Sequence, residues 1–277
     1  MYGRLRKRLA GLLPFRRGRK TMTQDERLDY LLRCLLAERK EYANIRVPGG
    51  ISEKRRLLRS LMNVRPPVPA SAEFLAVQDA YLQERLAERG VTRLEDLTPV
   101  RPGVYLWQGD ITTLAVDAIV NAANSGMLGC FVPCHGCIDN AIHTCAGVQL
   151  RLECAEIMRK QGHEEATGHA KITKGYDLPC RYVLHTVGPI VCGGVTQTDR
   201  EQLASCYRSC LELAAEHGLH SVAFCCISTG EFHFPNELAA QIAIQTVTDR
   251  QKQNANQMEV IFNVFKGSDY AIYKRLL

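Results

Sequence analysis

The chain has 277 residues, of which 46% are hydrophobic and 23% charged, with a formal net charge of +6. That is room for one large domain with an appendage, at an ordinary globular composition. No apolar run reaches the length of a membrane-spanning helix, so no membrane span is expected. The positive charge is concentrated in the first twenty residues, which hold many Arg and Lys and no acid, while acids slightly outnumber bases in the remainder. The net charge is therefore no sign of a nucleic-acid partner, and none is expected.

Residues 1–21 read as a basic, disordered arm: their apolar run, Leu9 to Phe15, is short and no small-residue cleavage site follows. Without a secretory leader, the twelve cysteines predict free thiols in a reducing, cytoplasmic compartment.

Three helical patterns follow. The first opens at Thr23, a helix-capping residue with acids just after it, and carries Leu28, Leu31, Leu32, Leu35 and Leu36 at helical spacing. ISEKRRLLRSLMNV ends at the Pro66–Pro67 pair, and SAEFLAVQDAYLQERLAERG ends at Gly90, a glycine suited to cap a helix end. Residues 22–95 are thus a small helical unit.

From about residue 96 the pattern changes. VYLWQGDITTL, DAIVNAAN, RYVLHTVGP, SVAFCCIST and EVIFNVF read as strands. Between them lie three helical stretches: one from Asp139 through LRLECAEIMRK, then TDREQLASCYRSCLELAAEHG, then NELAAQIAIQTVTDRQKQ. Strands that are apolar throughout need cover on both faces. The alternation therefore predicts a three-layer α/β/α domain over residues 96–277, whose ligands bind beyond the carboxyl ends of the strands.

Four stretches lie at such ends. In GDIT, Asp110 can cap a local turn or accept from an adenine amine, and capping is favoured locally. In VNAANSGMLG, Asn121 and Asn124 can hold a tight turn or a ligand hydroxyl. In CISTGEFHFP, the backbone around Ser228, Thr229 and Gly230 can cradle a phosphate or simply turn the chain, and Phe232 and Phe234 could flank a sugar.

The fourth stretch is GCFVPCHGCIDNAIH, where three cysteines and a histidine fall within eight positions. Cys130, His135 and Cys137 offer two thiolates and an imidazole, a set Zn²⁺ prefers, and three ligands leave a fourth position open. Cys134 or His143 could close it into a structural site. The other readings are buried free thiols or, more weakly, a redox pair. Asp139 follows at the first turn of a helix, where the dipole favours a carboxylate and where it could position a water or serve only as a cap.

GDIT, VNAAN, a Gly-rich loop, HTVGP and ISTG-x-F-x-F-P in this order resemble the macrodomain family of ADP-ribose binders over about residues 100–277. The Cys-rich insertion looks like that of the zinc-containing bacterial macrodomains, which remove mono-ADP-ribose from proteins, and the helical unit resembles their N-terminal extension. The resemblance implies a macrodomain with a mixed central sheet. It also implies one Zn²⁺ per chain on Cys130, His135 and Cys137, and adenine contact at Asp110 with Ile111 beside it. Asn124 would hold the distal ribose. The diphosphate would be wrapped by Ser228, Thr229, Gly230, Glu231 and Phe232, and Asp139 would act with Asn124 in catalysis. The implied activity is a zinc-dependent hydrolase acting on an ADP-ribosylated protein substrate, with ester linkages to Asp or Glu the expected bond. A non-catalytic ADP-ribose reader and a hydrolase of small derivatives such as O-acetyl-ADP-ribose are the alternatives.

Overall fold

A computed structural model of the chain describes residues 22–253 and 258–277. The predicted basic arm, residues 1–21, lies outside the described residues.

Helices α1 (Gln24–Ala37), α2 (Ile51–Val64) and α3 (Ala72–Arg89) form the N-terminal unit. Thr23 starts α1 with a reciprocal capping box, its hydroxyl accepting from Glu26 N while the Glu26 carboxylate accepts from Thr23 N. Ser71 caps α3 in the same region of backbone space. Leu28, Leu31, Leu32 and Leu35 meet Leu58, Leu61, Met62, Phe74, Tyr81 and Leu82 in a small core of their own. The heptad-like leucine pattern is thus the face of a three-helix bundle.

Strand β1 (Thr92–Arg93) leads out of this unit and pairs in parallel with the short β4 (Leu114–Ala115). The main sheet contains β2 (Pro99–Arg101), β3 (Val104–Gln108), β5 (Ala118–Ala123), β6 (Ala170–Lys174), β7 (Tyr182–Val187), β8 (Ser221–Phe224) and β9 (Glu259–Val264). Its order is β2-β3-β9-β8-β5-β7-β6. The five inner strands run parallel, and β2 and β6 are antiparallel edges. Helices α4 (Ile138–Ala146) and α5 (Val148–Gln161) pack on β5 and β6. Helices α6 (Gln197–Glu216), α7 (Asn236–Gln253) and α8 (Gly267–Leu276) form the other layer. This is the expected mixed three-layer α/β/α sandwich, with the N-terminal helices added to it.

The predicted helix from Asp139 through Lys160 is two helices. Gly147 stands between them at φ +87°, in a conformation that ends one helix and starts the next. The edge strand β6, AKITK, is half-covered and polar in part, so it lacked the continuous apolar run by which the inner strands were read. Helix α8 was also missed: it packs on β3, β9 and α7 but carries polar residues around most of its surface.

Candidate functional site

Each chemistry-bearing stretch leaves the carboxyl end of an inner strand. Asp110 follows β3 and caps the tight turn at Ile111–Thr113, its Oδ1 accepting from Thr112 N at 3.0 Å and Thr112 Oγ1 at 2.7 Å. Its other oxygen accepts from Arg89 Nη1 of α3 at 2.9 Å. Asp110 therefore does cap, as its local sequence favours. The Ile111 side chain is buried in the main core, so what it offers a ligand is its backbone.

Asn121 and Asn124, at the end of β5, both reach Asp139 in the first turn of α4. Asn121 Nδ2 donates to Asp139 Oδ1 at 2.8 Å and to His185 Nδ1 at 3.1 Å. Asn124 Nδ2 donates to Gly129 O at 3.2 Å and to Asp139 Oδ2 at 3.4 Å. Asn121 is buried and Asn124 is exposed, so one amide anchors the carboxylate from beneath and the other touches it from the mouth.

Asp139 differs from its sequence expectation. A helix terminus favours its charged form, but the residue is 5% exposed. Burial pushes its carboxyl up to about 6, against the opposing pull of the Asn121 bond and the Arg151 charge.

Beneath it lies a polar chain that the sequence did not reveal. His185, from HTVGP on β7, holds its Nε2 2.9 Å from Thr173 Oγ1 of β6. With Nδ1 accepting from Asn121, His185 is the neutral tautomer that donates through Nε2 to Thr173. His143, Cys154 and His185 converge in the same buried pocket. Burial pushes both imidazoles toward the neutral form, His185 to about 3. Only β5–β7 pairing, which sets Asn121 opposite His185, brings these residues together, and no spacing in the chain announces it.

The Cys-rich loop joins β5 to α4. The sulfurs of Cys130 and Cys137 and a ring nitrogen of His135 lie within 4.8 Å of one another. That mutual group has three members among the described residues. Cys134 is elsewhere: its thiol lies 3.2 Å from Ser60 Oγ and 3.5 Å from the Arg56 carbonyl oxygen of α2. His143 turns inward to the buried pocket, its ring against Gly129, where no Cβ would fit. Cys134 is thus committed to other contacts, while His143 lies outside the donor group with neither ring nitrogen hydrogen-bonded among the described residues. Cys137 is also the N-cap of α4, its sulfur accepting from Asn140 N at 3.4 Å. Burial pushes its thiol up to about 12, a state that bound divalent charge would reverse.

The loop after β8 completes the rim. Ser228 at φ +63° and His233 at φ +56° bend it sharply. Thr229 Oγ1 donates to Cys226 O, Phe234 N to Ser228 O, and Val191 N to Phe232 O. The amides of Gly230, Glu231 and Phe232 have no hydrogen-bond acceptor among the described residues. Free amides in a tight loop of this kind suit an anion. The Glu231 carboxylate stands 3.5 Å from His135 Nε2, so this loop and the Cys/His loop meet. Phe234, by contrast, is buried in the core at 1% exposure. Its large apolar ring anchors the loop and is unavailable to flank a sugar.

A mixed α/β/α sandwich with Asn-rich and Gly-rich loops at the carboxyl edge of its parallel strands is the arrangement of a macrodomain. The description "Macro domain" matches residues 120–243, from β5 into α7. The chain belongs to the macrodomain family.

Among its relatives, a Treponema medium protein named protein-ADP-ribose hydrolase is 57% identical over 260 residues, spanning 92% of this chain and all of that one. A Staphylococcus aureus protein of the same name is 51% identical over 250 residues, spanning 90% and 94% of the two chains. Among solved structures, the Trypanosoma brucei macrodomain in complex with ADP-ribose has a TM-score of 0.62 at 33% identity, covering 79% of this chain and 94% of that one. The Oceanobacillus iheyensis macrodomain with MES bound has a TM-score of 0.58 at 39% identity, covering 62% and 88%. Among the described residues, no helix is long and apolar enough to cross a membrane.

Proposed function

We propose that this protein is a zinc-dependent hydrolase that removes mono-ADP-ribose from protein side chains, with esters to Asp and Glu as its preferred linkage. The observation that carries this reading is the three-membered donor set of Cys130, His135 and Cys137 placed beside Asn124 and Asp139 at the ligand edge of the sheet. Two thiolates and an imidazole suit zinc, and three protein ligands are the pattern of a catalytic site, not a structural one. A protein that only bound ADP-ribose would have no use for an open metal position. The relatives' shared name, protein-ADP-ribose hydrolase, supports the hydrolase part of this reading.

Bound there, zinc would supply Lewis acidity to a sugar oxygen and lower the pKa of a water. The chain's own groups do the remaining work. Asp110 and the backbone at Ile111 receive the adenine end. The free amides of Gly230, Glu231 and Phe232, with Ser228 and Thr229 shaping their loop, hold the diphosphate. Asn124, exposed at the mouth, holds the distal ribose. Asp139 orients Asn124 and, with its carboxyl raised to about 6, accepts a proton near neutral pH. A carboxylate is a good leaving group at the anomeric carbon, which favours an ester over a guanidinium linkage. Twelve unpaired thiols suit a reducing cytoplasm.

The test is hydrolysis of ester-linked and arginine-linked ADP-ribosylated proteins, with and without a chelator. Cleavage of the ester substrate that a chelator stops and added zinc restores is expected. An undiminished rate in chelator would overturn the zinc requirement, and preference for the arginine-linked protein would overturn the ester assignment.

A further inference from the structure

The Cys/His loop is held from one side by α2. Arg59 Nη2 donates to His135 O at 2.9 Å and to Asn140 Oδ1 at 2.8 Å, and its Nε donates to the same oxygen at 3.1 Å. Asn63 Oδ1 accepts from Cys134 N at 2.9 Å, while its Nδ2 donates to Thr144 Oγ1 at 2.9 Å. The Cys134 thiol meets Ser60 Oγ and the Arg56 carbonyl. Positions 56, 59, 60 and 63 fall on one face of a helix, so α2 presents a single continuous grip. Arg151 reinforces it from α5: Nε donates to Leu128 O at 2.7 Å, Nη1 donates to Met62 O at 2.9 Å and to Arg65 O, and the guanidinium lies 4.4 Å from the centre of the Phe131 ring.

Cys134 needs such a grip. It adopts φ +53°, a region that disfavours residues with a side chain, and its own N–H is what Asn63 holds. It is also the immediate chain neighbour of His135, and a third thiolate is what would complete a closed tetrahedral zinc site.

We propose that α2 is a clasp that keeps Cys134 away from Cys130, His135 and Cys137, and so keeps the fourth metal position open for substrate or water. The proposal rests on the zinc reading above. With the clasp weakened, Cys134 gives its thiol proton to solvent and binds as a third thiolate in the place of water. The result is a closed Cys₃His site that holds zinc more tightly and hydrolyses nothing. The helical unit is thereby part of the hydrolase machinery, acting through the loop without touching substrate.

The experiment compares the zinc-loaded full-length protein with a Ser60→Ala/Asn63→Ala double variant, the same variant carrying Cys134→Ser, and Cys134→Ser alone. X-ray absorption counts sulfur ligands, and transfer to a chelator gives the zinc release rate. The parent protein should show two sulfurs. The double variant should show three, release zinc at least about tenfold more slowly, and lose at least about tenfold in hydrolysis. Adding Cys134→Ser should restore two sulfurs and most of the rate. Cys134→Ser alone should keep its zinc and its rate, a result independent of how well the double variant folds. Three sulfurs in the parent, two in the double variant, or zinc loss in Cys134→Ser alone would each overturn the clasp. A parent that binds no zinc, or hydrolyses equally well in chelator, overturns the zinc reading itself.

Discussion

Asp139 and the two histidines beneath it show how burial sets charge in this protein. His185 is pushed to about 3 and His143 well below its ordinary value, both chiefly by burial. Their folded pKa values therefore lie below the unfolded value near 6.5. Above that pH their contribution to stability is complete. As pH falls below it the unfolded chain takes up protons that the folded chain refuses, and stability declines toward pH 3. Asp139 acts in the opposite sense between about 6 and its unfolded 3.8, since it is raised and the folded form binds the extra proton. Asp177, which burial raises to about 7, acts in the same sense as Asp139, and the two histidines still outweigh the two aspartates. The metal-free protein should be about 1 kcal/mol less stable at pH 5 than at pH 7 by urea unfolding. A flat profile would mean that one imidazole is not buried neutral. At the same scale, Cys137→Ser should lose zinc, and with it at least about 100-fold in hydrolysis, while its circular dichroism stays that of the parent. Retained activity without metal would refute the zinc role. Asn121 and Asn124 could be named from the sequence as a pair at a strand end. That one is buried under Asp139 and the other exposed above it follows from where β5 ends: Asn121 is paired inside the sheet, and Asn124 stands one residue past the strand in the loop.

Elements meet at glycines whose conformations no other residue adopts easily. Gly147, at φ +87°, separates α4 from α5, and a Cβ there would run into the Gln78 amide of α3 and lie 2.7 Å from Gln149 Oε1. Gln78 docks at that point, its Oε1 accepting from Val148 N at 3.0 Å. Gly90, at φ +80°, has open space around it. Gly90→Ala should cost only the backbone strain, about 1–2 kcal/mol. Gly147→Ala should cost at least about 1 kcal/mol more, because a packed amide must also move. Thermal unfolding of the two variants measures the difference, and equal losses would show that the α3–α5 contact is soft. The inner strands and the three N-terminal helices were legible because their apolar residues recur at fixed periods. The break at Gly147, the half-polar edge strand β6 and the polar helix α8 were not. A lone glycine inside a helical pattern has several meanings, and edge elements bury too little to leave a period.

The whole molecule is two cores joined by polar ties. The N-terminal bundle has its own apolar cluster, to which Val148 of α5 adds a side chain. Arg59, Asn63 and Gln78 cross from it to the macrodomain, and Arg151 crosses back. These groups are satisfied only while both units are folded, so the chain should unfold in one transition. The single tryptophan, Trp107 in β3, reports the macrodomain, whereas far-ultraviolet circular dichroism also weighs the helices. The two melting curves should coincide, and a separate early loss of helix would show that the ties are weak. The sequence by itself determined the layers, the helical unit and the residue types at the ligand edge, because period and chain order are local properties. It also brought out Cys130, His135 and Cys137 as candidate metal donors. Only the tertiary structure shows which of the remaining groups lie beside them. Cys134 and His143 are close to them in the chain, but α2, from more than seventy residues away, holds Cys134 by hydrogen bonds, and the fold buries the His143 ring beside His185 and Cys154.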